Sequence, residues 1–273
     1  MVVQARVRGL ALVALTATVI TAPLGTRAQP APSRSDGVTT RVLAWPGGDR
    51  LYVSTNADVR YVQGPQGKVV ITGPARDIED IVVDHGVIRH ARGHWGWPWW
   101  TWGEWPPSRS VRIVVTAPHV DEAGVSGSGH LDLGRLAQDH VGLSIAGSGA
   151  LDVSGQFKSL DLSVSGSGAA RLSQVNAAAM SASLSGSGWI KAAGAAGTLH
   201  VSISGSGSAD MGGLVAQEVT TQISGSGFAK ISPRRSADLS VAGSGAIRLL
   251  TQPAQLSTHR AGSGSIVSPN GRA

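Results

Sequence analysis

One short stretch of the chain contains an aspartate and three histidines, which are residue types that can bind a metal ion. Asp84 and His85 are adjacent, and His90 and His94 follow closely. Their spacing matches no standard helix motif for zinc, and on an extended strand His85 and His90 would point to opposite faces. No neighbouring carboxylates are placed to orient these histidines. The sequence therefore predicts solvated turn histidines and no metal site.

The remaining motifs argue against catalysis and against a bound cofactor. Neither Gly-x-Ser-x-Gly nor His-Glu-x-x-His occurs in the chain. Its repeated Gly-Ser-Gly phrases lack the third glycine and the following helix of a dinucleotide-binding loop. They also lack the recurrent aspartate of calcium-binding β-roll repeats, because arginine or lysine fills the equivalent position in four copies. We therefore expect a protein that is not an enzyme and has no cofactor.

A tryptophan-rich segment at residues 94–107 is the candidate for ligand contact. It contains six of the eight tryptophans, together with prolines and glycines that favour a protruding loop. Exposed indoles suit stacking on sugars, a protein partner or a membrane interface. The alternative is that the loop folds back and its indoles cover one end of the fold. The candidate contacts are Trp97, Trp99, Trp100 and Trp102.

The rest of the chain is dominated by an internal repeat. The phrase Gly-Ser-Gly occurs eight times at intervals of 18 to 20 residues. A period of this length indicates stacked repeats. The signature glycines are Gly127, Gly129, Gly147, Gly149, Gly166, Gly168, Gly186, Gly188, Gly205, Gly207, Gly225, Gly227, Gly243 and Gly245.

Apolar and polar residues alternate within each copy. From Val201 to Met211, the apolar residues and both glycines have odd numbers, whereas the serines and Asp210 have even numbers. This period of two predicts a β-strand with one buried face, and we expect both glycines of each phrase to lie on that face. The outward serines should form a flat hydroxyl-rich face. Beside it lies a predicted column of charges at Asp132, Asp152, Arg171, Lys191, Asp210, Lys230 and Arg248.

Two backbone arrangements fit this alternation. Each copy is either one bent strand that passes through Gly-Ser-Gly, or a hairpin with Gly-Ser-Gly as a three-residue loop. The recurrence of all three residues favours the bent strand, because stacked coils place identical residues about 4.8 Å apart. The predicted fold is all-β, a right-handed parallel β-helix with coils of about 20 residues. Its hand follows from the handedness of parallel crossovers.

The N-terminal part of the chain divides into an export signal, a linker and further strands. Residues 1–28 have the positive start and short apolar core of a secretory signal, and an uncleaved membrane anchor is the alternative. Loss of this segment lowers the formal net charge from +6 to +3. Residues 29–39 are predicted to be a linker. Because the chain has no cysteine, it can form neither a disulfide nor a lipid anchor on cysteine.

The folded part is expected to be one continuous domain at residues 40–268. Within it, residues 40–120 are predicted to form short strands that cap the first coil, and residues 121–268 form the repeat helix. At the far end, Arg260 replaces the apolar residue of other copies, which suits a terminal coil.

The combination of these motifs resembles a known bacterial family. The run Val114-Val115-Thr116-Ala117-Pro118, the phrase Val125-Ser126-Gly127-Ser128-Gly129 and the next copy at residues 143–149 are similar to the family called putative auto-transporter adhesin, head GIN domain. The resemblance covers roughly residues 40–267 and does not include the tryptophan-rich segment. It implies a right-handed β-helix in a secreted or envelope-associated protein, and the family supplies no catalytic residues.

We therefore expect an exported protein, located in the periplasm, on the outer surface or in the medium. It should bind through its surfaces, with the serine face and the tryptophan-rich segment as candidate contacts. An envelope polysaccharide or another surface protein is the expected partner, and a carbohydrate-binding protein that stacks sugars on the tryptophans is the alternative. Nucleic acid is not expected, because no basic cluster has interleaved aromatic residues. Membrane contact is expected only through an uncleaved signal segment.

Overall fold

The computed structural model describes residues 38–91 and 111–272, and these residues belong to one compact unit. The predicted signal segment, most of the predicted linker and the tryptophan-rich segment lie outside the described residues. Most strands before the repeat are short, and one short helix, α1 (Ala75–Glu79), accompanies them. These strands are β1 (Val38–Ala44), β2 (Arg50–Ser54), β3 (Asp58–Gln63), β4 (Lys68–Pro74), β5 (Ile81–Asp84), β6 (Val87–His90), β7 (Arg112–Ala117) and β8 (Glu122–Gly127).

The repeat forms six long strands followed by four short ones. The long strands are β9 (His130–Gly147), β10 (Ala150–Gly166), β11 (Ala169–Gly186), β12 (Trp189–Gly205), β13 (Ser208–Gly225) and β14 (Phe228–Gly243). The short strands are β15 (Ala246–Leu249), β16 (Gln255–Ala261), β17 (Ser265–Ser268) and β18 (Gly271–Arg272).

Each long strand is one coil of a parallel β-solenoid. Neighbouring coils pair in parallel, with a shift of register in the first half of each long strand, and the phrases align so that Gly166 lies opposite Gly147 on one side and Gly186 on the other. The solenoid has about 7 turns with a spacing of about 20 residues. This confirms the predicted all-β solenoid and excludes hairpins at Gly-Ser-Gly, because the strands that flank each phrase pair in parallel with the next coil. The right-handed sense stays a prediction.

The Gly-Ser-Gly phrases are corners, and this corrects one expectation. The first glycine of each phrase has a positive φ between 103° and 118° and lies at the surface. The second glycine is buried in the first seven phrases. The prediction that both glycines face the interior is therefore wrong for Gly127, Gly147, Gly166, Gly186, Gly205, Gly225 and Gly243. The left-handed turn rotates the first glycine outward, and the alternation resumes at the second.

Apolar side chains stack along the inside of the solenoid. One column contains Val164, Leu184 and Ile203, which lie opposite one another in successive coils and are at most 2% exposed. Their burial supplies the main driving force for stacking. Thr221 interrupts a neighbouring column between Val201 and Leu239, and its hydroxyl is buried without a hydrogen-bond partner in the described structure.

The N-terminal strands continue the same sheet. β2 and β3 pair in parallel with β8 and β9, and β4 pairs antiparallel with both β1 and β7. The predicted strands at residues 51–53, 69–71 and 81–83 are found in β2, β4 and β5, and the one at 111–115 is found in β7 from residue 112. The helix α1 was not predicted, because it is barely one turn long and buries only Ile78.

The C-terminal end closes with a turn. Arg260 lies opposite Val241 and is exposed, as a terminal coil requires. β17 and β18 then pair antiparallel, with Ser268 opposite Gly271. Within the described segments, no helix has the length and apolar character needed to cross a membrane.

Candidate binding surface

The first part of each coil presents two columns of outward side chains. The residue that follows each corner contributes to the first column, and the residue two positions later contributes to the second. The first column contains His130, Ala150, Ala169, Trp189, Ser208, Phe228 and Ala246. The second is the predicted charge column, which the strand register confirms at Asp132, Asp152, Arg171, Lys191, Asp210, Lys230 and Arg248.

The C-terminal half of these columns combines aromatic rings with cations. We call it the basic aromatic face and define it by Arg171, Trp189, Lys191, Phe228, Lys230 and Arg248. The face carries four cations and one carboxylate, that of Asp210, and Asp152 at its edge pairs with Arg171, so the face is positive.

A guanidinium covers one face of the Trp189 indole. The Arg171 Cζ atom lies 5.3 Å from the centroid of the indole ring, within the range of a cation–π contact. Arg171 also donates from Nη1 to Asp152 Oδ1 at 3.2 Å. On the following coil, the position opposite Trp189 is Ser208, and the next is Phe228. The two rings are therefore separated by a gap two coils wide, about 10 Å, with only a small side chain between them.

The single carboxylate of this face is already occupied. Lys230 Nζ lies 3.3 Å from Asp210 Oδ2, while the backbone N–H of Gly212 donates to Asp210 Oδ1 at 3.1 Å. Lys191 lies opposite Asp210 in the ladder, but the two side chains form no ion pair. Neither Lys191 nor Arg248 has an ion-pair partner among the described residues, so both charges are available to a ligand.

Exposed apolar side chains accompany these cations. Phe228 is 38% exposed and Leu250, just after β15, is 46% exposed. Leu250 packs over Gly212 beside the Lys230 stem, since a Cβ at Gly212 would be 2.8 Å from carbon atoms of both side chains. The face thus offers apolar contact and positive charge together.

The N-terminal end of the same sheet face is acidic. His130 lies between two carboxylates, with Nδ1 2.9 Å from Asp58 Oδ1 and Nε2 2.8 Å from Asp152 Oδ2. Burial alone would lower the pKa of His130, but the hydrogen bonds and charges of Asp152 and Asp58 outweigh it and raise the pKa. His130 on β9 therefore bridges Asp58 at the start of β3 and Asp152 on β10.

The serine face lies on the last part of each coil. Ser163, Ser183 and Ser202 lie opposite one another in successive coils and point outward, as predicted. Hydroxyl groups of this kind are small and remain solvated, and serine is under-represented among residues that dominate binding energy.

The family model for putative auto-transporter adhesin, head GIN domain, matches residues 49–253. The chain belongs to the head GIN domain family. This agrees with the resemblance found in its repeats. No curated protein matches the chain.

Solved structures share the fold of this head GIN domain. A protein described as a putative lipid binding protein from Parabacteroides distasonis is 21% identical, with a TM-score of 0.75, over 86% of this chain and 97% of its own. A putative adhesin from Parabacteroides merdae is 19% identical, with a TM-score of 0.70, over 85% and 95%. A second putative adhesin from Parabacteroides distasonis is 19% identical, with a TM-score of 0.72, over 85% and 97%.

Only some of the candidate site residues predicted from the sequence lie in the described part of this head GIN domain. Trp97, Trp99, Trp100 and Trp102, like His94, lie outside the described residues. His85 Nδ1 lies 2.5 Å from Asp84 Oδ1 in an exposed turn, whereas His90 pairs with Ile81 at the opposite end of the β5–β6 hairpin. The structure does not bring His85 and His90 together.

The two aromatic residues of the basic aromatic face were not predicted from the sequence. Trp189 and Phe228 lie outside the tryptophan-rich segment, which was the predicted contact. The repeat alone could have predicted that they share one column, because both residues directly follow a Gly-Ser-Gly phrase.

Proposed function

We propose that the protein is a non-enzymatic, exported adhesin whose basic aromatic face binds an acidic polysaccharide of a cell surface. The adhesin-like family and the β-solenoid fold support a surface or exported protein that is not an enzyme. The observation that carries the ligand assignment is the placement of Trp189 and Phe228 in one column beside Lys191, Lys230 and Arg248.

Binding energy is expected to concentrate on this face. Tryptophan and arginine dominate the hot spots of interfaces, whereas serine is under-represented there. Arg171 orders the indole before any ligand arrives, which reduces the entropy lost on binding. The serine face, one of the two contact surfaces predicted from the sequence, offers neither feature.

The gap over Ser208 suits a sugar ring. A ring that enters it would contact Trp189 on one side and Phe228 on the other, while Ser208 leaves room beneath. Lys191, which has no ion-pair partner among the described residues, lies one column away, where its ammonium group can pair with carboxylates carried by the sugar. The Trp189 indole is half-buried, and the Arg171 guanidinium covers one of its faces. This favours stacking on a sugar over insertion of the indole into lipid.

Titration of the full chain with polygalacturonate, a polymer of carboxylated sugars, tests the proposal. Neutral dextran is the control polymer, and anionic phosphatidylglycerol vesicles are the competing probe, because one structural neighbour is described as lipid binding. We expect saturable binding to polygalacturonate that weakens as salt is added, and no binding to dextran.

Variants of the basic aromatic face locate the binding. Trp189→Ala and Lys191→Glu should each weaken binding to polygalacturonate by about tenfold or more. Lys158→Glu is the charge-matched control, because Lys158 is an exposed lysine that pairs with Asp139 away from this face. Equal affinity of all three variants and the parent would refute the proposal, and so would binding to the vesicles alone.

The tryptophan-rich segment is tested in the same assay. A double variant, Trp99→Ala with Trp100→Ala, removes two of its indoles. We expect it to retain the affinity for polygalacturonate. Loss of binding in this variant, with Trp189→Ala unaffected, would move the carbohydrate site to the tryptophan-rich segment.

A further inference from the structure

Three side chains from separate parts of the chain converge on one point at the N-terminal end of the solenoid. His119 Nε2 lies 3.5 Å from Asp49 Oδ1 and 3.4 Å from Asp121 Oδ1. All three donor atoms lie within 4.8 Å of one another, and the side chains are half to two-thirds exposed. We propose that Asp49, His119 and Asp121 form a binding site for a divalent transition metal such as Zn²⁺.

The convergence on a single nitrogen distinguishes this cluster from an ordinary ion pair. One N–H cannot align with two carboxylates at once, and both contacts are longer than a good hydrogen bond. His130 provides the contrast, because it meets its two carboxylates with two different nitrogens at 2.9 and 2.8 Å. His130 is therefore a hydrogen-bonded bridge, whereas both carboxylates around His119 approach the same ring nitrogen.

The distances match the geometry of a coordinated metal. Zinc binds imidazole nitrogen and carboxylate oxygen at about 2.0–2.2 Å, so tetrahedral ligand atoms lie about 3.3–3.5 Å apart. The two distances from His119 Nε2 have this length, and the carboxylate oxygens of Asp49 and Asp121 lie within 4.8 Å of each other. Calcium is a poorer match, because it takes six to eight oxygen ligands and rarely uses imidazole.

The backbone holds the two acidic residues together. The N–H groups of Asp121 and Glu122 donate to the carbonyl of Asp49 at 2.8 and 3.1 Å. These bonds extend the parallel pairing of β2 with β8, in which Arg50 lies opposite Glu122. Val120 is fully buried beside His119 and anchors that segment. Asp49 and Asp121 thus lie in turns that directly precede β2 and β8, and the backbone bonds from Asp49 hold these two turns together.

A third carboxylate close by is already engaged elsewhere. Glu122 Oε2 lies 3.2 Å from Arg50 Nε and accepts a hydrogen bond from the Tyr52 hydroxyl at 3.2 Å. The protein therefore contributes three ligands, and at least one coordination position stays open to water or to an acidic group of a partner. A shallow groove of about 520 Å³, lined in part by Pro118, His119 and Asp121, gives access to that position.

Calorimetric titration of the metal-free full chain with zinc chloride at neutral pH tests this site. We expect one site that is lost or weakened at least about tenfold in Asp49→Asn, His119→Gln and Asp121→Asn. The asparagine variants preserve shape and remove charge, so they should fold as the parent does. Zinc should also raise the Tm of the parent, because it binds the folded state preferentially.

The control is His85→Ala, which removes an exposed histidine that contacts only one carboxylate. It should bind zinc as the parent does. Absence of binding in the parent would overturn the proposal, and so would unchanged binding in all three ligand variants. The site is independent of the basic aromatic face, so loss of polysaccharide binding would leave this result unaffected.

Discussion

The carbonyl oxygen of Gly166 lies directly against Gly186 in the next coil, so that a Cβ added at Gly186 would be only 2.5 Å from it. Gly186 also has a φ of 115°, which side chains rarely adopt. The substitution Gly186→Ala therefore combines backbone strain with a collision against backbone atoms of the adjacent coil.

We expect Gly186→Ala to lower the free energy of unfolding by several kcal/mol, measured by thermal or denaturant unfolding. Gly127→Ala is the matched control. Gly127 has a similar φ of 104°, but nothing lies within 4 Å of the added Cβ. The control should lose only about 1–2 kcal/mol. Equal losses in the two variants would show that coil-to-coil contact plays no part.

Replacement of Thr221 should stabilise the protein. Its side chain is fully buried between apolar neighbours, and its hydroxyl has no partner among the described groups. Thr221→Val keeps the shape and removes the unsatisfied group, so the free energy of unfolding should rise by about 1 kcal/mol, or roughly 2–4 °C in Tm. Thr220→Val, at the adjacent half-exposed position, is the control and should have little effect. A lower Tm for Thr221→Val would contradict the prediction.

His130 should make stability depend on pH. Its folded pKa is raised above 6.5, so the protonated ring stabilises the fold below pH 6.5, and this contribution is lost as pH rises through the folded value. His130→Gln should therefore lose more unfolding free energy at about pH 6 than at about pH 9. The difference should stay below about 1 kcal/mol, because the ring is partly exposed. Parallel pH profiles for the parent and the variant would refute the role of this bridge.

The two tyrosines should resist ionisation in the folded protein. Burial raises the pKa of Tyr61 to about 12, and its hydroxyl donates to the carbonyl of Ala117 at 2.8 Å. Burial and the nearby Glu122 also raise the pKa of Tyr52. Neutral Tyr61 thus stabilises the fold below pH 10, and this contribution is lost as pH approaches about 12. Tyrosinate absorbance should remain low at pH 10 and rise only on unfolding. Half-ionisation at pH 10 in the native state would contradict this.

The columns of the solenoid could be predicted because the repeat specifies their register. Once Asp152 and Arg171 are aligned by their Gly-Ser-Gly phrases, their contact follows from the strand spacing. The orientation of Gly186 could not be predicted from alternation, since a corner with positive φ interrupts that alternation. The Asp49–His119 contact was also out of reach, because it depends on the pairing of β2 with β8, outside the repeat.

The parallel ladder between coils has a mechanical consequence. Hydrogen bonds between coils run along the axis of the solenoid, whereas the covalent chain runs across it. A pull along the axis therefore loads the interfaces between successive coils in series, so that every interface carries the same force. The force at which the solenoid opens is determined by one coil interface, and the number of coils determines only how far the chain extends.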